Sequence, residues 1–253
     1  MNQFGDLYSQ YYDLLYQDKD YAAEVDYIEN LIKIYSSNTK TILDLGCGTG
    51  KHDALLCDKG YKVHGVDISV DMLDIAATRR KDRENKLTFS QSDITQLKLN
   101  KKFNTVISLF HVMSYQNTNT ALNSVFSGVR DHLEEGGLFI FDFWYGPAVL
   151  TDLPKTTIKK LENEHIKVIR VAESKLHAEL NTVDVNFNVF VTKKLDGKSI
   201  EKKELHVMRY FFDTELEMLC EKHGFNIENK HKWLDKKQPN FDTWNVVWIL
   251  KKI

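Results

Sequence analysis

The sequence predicts an α/β protein with a doubly wound, mostly parallel sheet of seven strands and an inserted antiparallel β cap. Three observations support this prediction. Short β-rich runs alternate with helical patterns between about residues 41 and 143, as in doubly wound parallel sheets. A glycine-rich turn follows the first of these runs. Later, the odd positions of 183–191 are apolar, and Asp184, Asn186 and Asn188 alternate with them, which indicates a half-buried antiparallel strand.

The chain has 253 residues, enough for one large domain or two small ones. Because no linker or internal repeat interrupts it, we expect a single domain spanning 1–253. We place an N-terminal helical lid at 1–36 and the antiparallel cap at about 155–211. The 34 basic and 36 acidic side chains give a net charge of −2. This balance excludes the strongly basic surface of a nonspecific nucleic-acid binder.

Cysteine usage and hydropathy predict a cytoplasmic protein. Cys47, Cys57 and Cys220 form no CxxC pair and are odd in number, so we expect neither a disulfide framework nor a zinc site, and no bound metal. The N-terminus lacks the apolar core and basic flank of a signal peptide. The longest apolar run, near 138–144, is far shorter than the roughly 20 residues that span a bilayer. We therefore expect no membrane association.

The N-terminal elements are predicted to be helical. Phe4, Tyr8, Tyr12 and Tyr16 recur every four residues and so share one helical face. A second helix follows at about 21–35. We expect these two helices to pack on the sheet.

The remaining elements follow from local signals. A helix after the glycine turn ends near Gly60, Ser69 caps the next helix, Asp213 is expected to cap a later one, and Gly224 ends it. A helical stripe also occupies 119–133. The seven predicted core strands lie at 41–45, 62–67, 87–93, 103–110, 138–144, about 225–232 and about 244–251.

The sharpest chemical signal is the run Asp44-Leu45-Gly46-Cys47-Gly48-Thr49-Gly50, directly after the first strand. Glycines there allow the backbone to approach a ligand closely. The spacing is GxGxG rather than the GxGxxG of a dinucleotide site, which disfavours an NAD-dependent oxidoreductase. Asp67 ends the second strand, where a carboxylate can accept both hydroxyls of a ribose. Asp93 and Ile94 follow the third strand and suit an adenine amine and ring.

The segments DLGCGTG, GVDIS and SDI resemble the S-adenosylmethionine-dependent class I methyltransferases over roughly 40–145. A second resemblance covers most of the chain. Tyr12-Asp13-Leu14-Leu15-Tyr16, then Lys19 to Glu24, is similar to the N-terminus of the N,N-dimethyltransferases that act on nucleotide-linked amino sugars. The Phe143–Pro147 loop and the following antiparallel insert are similar to that family as well.

These resemblances imply a Rossmann-like fold, S-adenosylmethionine as cofactor and a set of site residues. Tyr12 and Lys19 would close over the cofactor, and Leu109 would lie beneath it. The other predicted cofactor residues are Asp44, Gly46, Gly48, Asp67, Ile68, Asp93 and Ile94. The predicted substrate residues are Tyr16, Phe143, Trp144, Tyr145, Arg209 and Trp244, with Arg209 proposed to grip a diphosphate.

Methyl transfer to an amine needs mainly proximity and orientation. The sulfonium charge lowers the pKa of a nearby ammonium, so no strong base is obligatory. The candidate catalytic residues are Tyr12, His111 and Tyr115. The sequence departs from the amino-sugar family here, because the position several residues beyond the fourth strand where that family has a histidine is Tyr115, and the nearest histidine is His111.

We therefore expect methyl transfer to a small molecule, and we favour the amino group of a nucleotide-linked deoxy amino sugar. Another small amine, a hydroxyl acceptor, or a non-catalytic cofactor-binding module remain alternatives. Enzymes that methylate exocyclic base amines typically carry an Asn/Asp-Pro-Pro-aromatic motif after the fourth strand, whereas residues 108–111 here read SLFH. We expect no nucleic-acid partner. The strand edges of the insert are compatible with a homodimer.

Overall fold

A computed structural model describes residues 14–17 and 19–253, and its core is a seven-stranded sheet in the order β3-β2-β1-β4-β5-β11-β10. The first five strands in this order run parallel, β11 is antiparallel to β5, and β10 is antiparallel to β11. This arrangement confirms the predicted fold class. The strands are β1 (Thr41–Leu45), β2 (Lys62–Asp67), β3 (Leu87–Gln91), β4 (Phe103–Ser108), β5 (Leu133–Tyr145), β10 (Phe225–Lys232) and β11 (Asn245–Lys252).

Helices cover both faces of this sheet, as a doubly wound fold requires. Apolar residues of α4 and α6, such as Phe126 and Leu216, pack into one core cluster. Residues of α1 and α2, such as Ile28 and Leu56, pack into the cluster on the other face. The helices are α1 (Tyr21–Tyr35), α2 (Lys51–Asp58), α3 (Val70–Thr78), α4 (Asn119–His132), α5 (Gly146–Thr151) and α6 (Asp213–His223).

The helix ends follow the predicted capping residues with one exception. Ser69 caps α3 by accepting a hydrogen bond from the Met72 N–H at 3.3 Å, and Gly224 ends α6 in the left-handed conformation. Asp213 is not the cap that the sequence predicts. Phe212 takes the cap position, and the Asp213 carboxylate instead lies 2.6 Å from Lys230 Nζ.

The cap is a four-stranded antiparallel sheet in sequential order. It joins the core sheet through a short parallel pairing of Trp144 with Tyr210 and of Tyr145 with Phe211. Leu14 and Leu15 pack against the cap's apolar residues, whereas Phe4, Tyr8 and Tyr12 lie outside the described residues. The cap strands are β6 (Thr157–Glu162), β7 (Ile166–His177), β8 (Thr182–Lys193) and β9 (Ser199–Phe211).

Within the described part of the chain, no helix has the length and apolar character needed to cross a membrane.

Candidate functional site

The loop between β1 and α2 turns on glycines in the left-handed region, beginning with Gly46 at φ +78°. A Cβ atom at Gly46 would lie 2.6 and 2.7 Å from the two γ-methyl groups of Val112, in the turn that follows β4. Both the positive φ of Gly46 and the contact with Val112 therefore exclude a side chain at this position. Gly46 and Gly48 are half-buried at the carboxyl edge of the sheet, where open α/β sheets bind ligands.

Asp67 lies at the end of β2 and is held by two backbone donors. Its Oδ2 accepts from the Gly48 N–H at 2.8 Å, and its Oδ1 accepts from the Ser69 N–H at 2.9 Å. A carboxylate has about four lone-pair sites, so both oxygens can still accept ribose hydroxyls. Ile68, next to it, is exposed.

Asp93 follows β3 and opens a short 3-10 turn. Its Oδ1 accepts from both the backbone N–H and the hydroxyl of Thr95, each at 2.8 Å. Ile94 is buried in the core. Asp93 Oδ1 thus stabilises its own turn, and Oδ2 takes no part in these two hydrogen bonds.

A buried ionic network ties the N-terminal segment to α2. Glu24 Oε2 lies 2.7 Å from His52 Nε2 and 3.1 Å from Lys19 Nζ. Burial opposes ionisation of Glu24, but the hydrogen bonds and charges of His52 and Lys19 outweigh it and lower its pKa. The Lys19 ammonium also lies 3.5 Å from the centroid of the Phe110 ring, a cation–π contact. Lys19 is thereby fixed beside the glycine loop.

A cavity of about 420 Å³ opens beside this loop. The carboxyl edge of the core sheet forms one wall, and the inward face of the cap sheet forms the other. The residues lining it include Tyr16, Gly46, Gly48, Asp67, Leu109, Phe110, His111, Tyr115, Trp144, Arg170, Phe187, Glu204 and His206. Its size and its few polar groups among apolar ones are typical of small-molecule sites.

His111 is paired with a buried carboxylate. Its Nδ1 lies 2.8 Å from Asp142 Oδ2, and its backbone N–H donates to Asp142 Oδ1 at 3.1 Å. Asp142 is 1% exposed. Phe110 and His111 both have positive φ, +67° and +64°, and such backbone strain at non-glycine residues costs on the order of 1–3 kcal/mol each. The carboxylate holds both the main chain and the ring of His111 in this strained position.

A second polar chain crosses from the core to the cap. The Tyr115 hydroxyl lies 2.6 Å from His206 Nδ1, and His206 Nε2 lies 3.3 Å from Glu204 Oε2. Hydrogen bonding from His206, followed by contact with Lys202 at 2.7 Å, lowers the pKa of Glu204 to about 2. The ionised Glu204 favours the His206 tautomer with hydrogen on Nε2, which leaves Nδ1 to accept the Tyr115 hydroxyl proton.

Four of the predicted substrate residues lie away from the cavity. Phe143 and Tyr145 alternate with Trp144 along β5, so they point to the opposite face and join the core. Arg209 is on the opposite face of β9 from Glu204 and His206 and pairs with Glu215 at 2.9 Å. Trp244 packs edge-on against Trp144, with ring centroids 5.5 Å apart. Of the six predicted substrate residues, Tyr16 and Trp144 line the cavity.

Four residues of the site were not predicted from the sequence. They are Asp142, Arg170, Glu204 and His206. Asp142 had a visible signal, because a charged side chain within an apolar strand needs a partner. The other three lie on β7 and β9, whose inward faces depend on strand registers that the sequence alone does not fix.

Fold and site together define a class I S-adenosylmethionine-dependent methyltransferase. Residues 42–137 match the family model for a methyltransferase domain. The cofactor of this chain is S-adenosylmethionine, as the glycine loop and the strand-end acids predict.

Among known proteins, the chain is similar to two amino-sugar enzymes. It is 28% identical to dTDP-3-amino-3,4,6-trideoxy-alpha-D-glucopyranose N,N-dimethyltransferase from Streptomyces venezuelae, over 86% of this chain and 89% of the relative. It is 26% identical to dTDP-3-amino-3,6-dideoxy-alpha-D-glucopyranose N,N-dimethyltransferase from Streptomyces fradiae, over 72% and 70%. The crystal structure of an S-adenosylmethionine-dependent methyltransferase from Clostridium acetobutylicum superposes with a TM-score of 0.81 at 24% identity, covering 99% of both chains.

We expect S-adenosylhomocysteine to bind at least tenfold more tightly than NAD, a difference of about 1.4 kcal/mol. The GxGxG spacing lacks the third glycine of a dinucleotide site, and Asp44 borders the pocket beside the loop, where an acid disfavours the diphosphate of NAD. Isothermal titration calorimetry with both ligands checks this expectation. Equal or tighter binding of NAD would contradict our interpretation of the crevice.

Proposed function

We propose that this enzyme methylates the amino group of a nucleotide-linked deoxy amino sugar. The observation that carries the proposal is the cavity itself, which adjoins the glycine loop and presents a His111–Asp142 pair and the Trp144 ring. Sugar rings pack their C–H faces on aromatic rings and need a few placed polar groups. The two relatives from Streptomyces, whose names specify amino-sugar N,N-dimethylation, support the same substrate class.

The described residues fit the cofactor. The half-buried backbone at Gly46 and Gly48, which lines the cavity, and the Asp67 carboxylate, which accepts from the Gly48 N–H, form a cradle at the carboxyl edge of the sheet. We assign Asp67 to the ribose and the Asp93 carboxylate to the adenine amine, whereas the predicted Ile94 side chain packs in the core. Asp44, Lys19 and Leu109 line a narrow pocket at the other end of the loop, to which we assign the amino-acid end. When bound, S-adenosylmethionine supplies a methyl group that its sulfonium activates for transfer.

On the acceptor side, the protein must orient a neutral amine and accept one proton. The Asp142 carboxylate, with Oδ2 2.8 Å from His111 Nδ1, favours the tautomer with hydrogen on Nδ1, and this tautomer leaves Nε2 with a lone pair as a proton acceptor. We therefore assign His111 as the proton acceptor and Asp142 as its positioning residue. Tyr115, backed by His206 and Glu204 of the cap, would contact the acceptor from the same loop as His111.

The diphosphate of such a substrate requires a cation, and Arg170 replaces the predicted Arg209 in this role. Arg170 lines the cavity and lies over the Phe187 ring, 4.7 Å from its centroid. Arg209 is held by Glu215 outside the cavity. A guanidinium fork suits bidentate binding of phosphate oxygens.

The test is a transfer assay with radiolabelled S-adenosylmethionine and matched acceptors: dTDP-linked amino sugars, their hydroxyl analogues, free amino acids and RNA. We expect label on the amino sugars, and we expect the hydroxyl analogues to stay unlabelled. Transfer to RNA or amino acids alone would overturn the proposal.

A hydroxyl acceptor is the second candidate, favoured by the His111–Asp142 pair. A hydroxyl keeps its proton near neutral pH, so its attack on a methyl group needs the kind of oriented base that this pair provides. Label on the hydroxyl analogues in the same assay would select this candidate.

We expect Trp144→Ala to raise the acceptor KM at least tenfold while the affinity for S-adenosylhomocysteine stays within twofold. The ring lines the cavity, and its loss removes the apolar face for the sugar, an effect of about 1.5–3 kcal/mol by analogy with the burial of other large apolar side chains. Phe241→Ala, at an exposed aromatic residue outside the cavity, is the matched control. An unchanged acceptor KM in a folded Trp144→Ala variant would remove Trp144 from the site.

We also propose a cytoplasmic location and a homodimer. The buried, unpaired state of Cys47, Cys57 and Cys220 suits a reducing compartment. Strand β6 lies at the end of the cap sheet, and its open edge can pair with a second chain. Light scattering after size-exclusion chromatography tests the dimer, and a monomeric mass at micromolar concentration would exclude it.

A further inference from the structure

Two carboxyl groups lie buried together beneath the glycine loop. Asp44, on β1, is 2% exposed, and Asp53, on α2, is fully buried. The groups lie within interaction range of each other. Asp44 Oδ1 and both Asp53 oxygens have no hydrogen-bond partner among the described residues.

The backbone makes room for Asp53. A Cβ atom at Gly65, on β2, would lie 2.5 Å from Asp53 Oδ2 and 2.8 Å from Cys47 Sγ. The carboxyl group therefore occupies the space that a side chain at Gly65 would fill. Asp53 therefore lies between the glycine loop and β2 and is shielded from solvent.

The charged groups around the pair do not neutralise it. His52 favours ionisation of Asp44, but its Nε2 already faces Glu24. Asp67 adds a further negative charge, and the Cys47 thiol is kept neutral by burial, which raises its pKa. Lys19, across the narrow pocket, is paired with Glu24.

Two buried like charges cannot both ionise without a compensating cation. Burial, followed by mutual repulsion, raises the pKa of Asp44 well above its usual range. Burial likewise raises the pKa of Asp53, to about 7. Such a pair titrates as a unit. One shared proton would also form a hydrogen bond between carboxyl oxygens that have no other hydrogen-bond partner among the described residues.

Asp44 also borders the narrow pocket that we assign to the amino-acid end of the cofactor. The pocket has both signs of charge, with Lys51 and Asp44 among its lining residues. A zwitterionic amino acid carries both signs as well, and its ammonium group would be the cation that the carboxyl pair lacks.

We propose that the Asp44–Asp53 pair holds one proton in the free protein and releases it to solvent when the ammonium-bearing cofactor binds. One carboxyl O–H bond breaks, the ligand keeps its own protons, and the ammonium charge replaces the lost proton. Because the ionised pair binds the ligand better, affinity rises with pH below the titration of the pair and becomes constant above it.

The test uses calorimetry with S-adenosylhomocysteine, so it requires no acceptor and is independent of the proposed substrate. Titrations between pH 5.5 and 8.5, in buffers of different ionisation enthalpy, give the number of protons released. We expect release of about one proton at the acidic end, falling toward zero at the alkaline end, with affinity changing by up to about tenfold per pH unit. Infrared difference spectra should show loss of a protonated carboxyl band on binding.

Asp53→Asn keeps the volume of the side chain and removes the shared proton. We expect this variant to release no proton and to bind with a flat pH profile. Asp58→Asn removes an exposed acid from the same helix and should keep the wild-type release. Absence of proton release in the wild-type protein would overturn the proposal. Proton release at the wild-type level in folded Asp53→Asn would also overturn it, because His52 would then be the source of the proton. If Asp53→Asn fails to fold, the proposal is tested by the number of protons that the wild-type protein releases and by the loss of its protonated carboxyl band.

Discussion

His111→Ala is expected to lower kcat by about 100- to 1,000-fold, while the affinity for S-adenosylhomocysteine changes little. A positioned proton acceptor typically contributes 10²- to 10⁴-fold. The lower part of that range applies, because an amine beside a sulfonium can lose its proton without a dedicated base. Single-turnover transfer of labelled methyl, with calorimetry of cofactor binding, measures the two quantities separately.

The same experiment distinguishes His111 from a structural residue. Asp142→Asn keeps the shape of the buried group but no longer favours hydrogen on His111 Nδ1, so kcat should fall in this variant too. His165→Ala, at an exposed histidine between β6 and β7, is the control and should retain full activity. Full activity in a folded His111→Ala variant would falsify its assignment. A complete loss would instead indicate a hydroxyl acceptor, because only that acceptor requires a base.

Asp67→Ala is expected to weaken cofactor binding at least tenfold. A charged acceptor contributes about 1.5–3 kcal/mol through its hydrogen bonds, which is roughly 10- to 150-fold in affinity. The structure adds a second reason, because Asp67 also accepts from the Gly48 and Ser69 N–H groups. Its removal would loosen the glycine loop that cradles the ligand.

The matched control is Asp71→Ala, an exposed acid in the first turn of α3. It removes the same charge four residues away without touching the loop. Calorimetry with S-adenosylhomocysteine should show a large loss for Asp67→Ala and a change within twofold for Asp71→Ala. If both variants bind as the wild type does, Asp67 serves only to shape the turn.

Much of the core fold could be predicted because its signals are local. Strands β1 and β2 match the predicted ranges, since Gly46 directly follows the end of β1 and Gly60 lies just before the start of β2. Helix α6 (Asp213–His223) also ends at the predicted glycine. Its start differs by one residue, because Phe212 has the extended backbone of a cap position and Asp213 finds partners in Tyr145 and Lys230.

The site was harder to predict, because two features decide which side chains meet: the face of the strand to which each residue points, and the register between paired strands. Residues 143–145 were expected to line one pocket together, but neighbouring residues of a strand point to opposite faces. The same rule separates Arg209 from His206. His111 and Asp142 are 31 residues apart in sequence and meet because β4 and β5 are parallel neighbours. Nothing local in the sequence encodes that meeting.

The two walls of the cavity come from separate stretches of the chain. Asp67 and the glycine loop belong to the β1–β4 half of the core sheet, whereas Arg170, Glu204 and His206 belong to the β6–β9 insert. Among the described residues, the insert pairs with the core sheet at two positions of β5, and the Tyr115–His206 contact links the same two parts. The insert supplies the charged groups of one wall, whereas His111 and Trp144 come from the core half. Replacement of the insert would therefore change the wall that we propose for the diphosphate and leave in place the residues that we propose for the methyl-accepting amine.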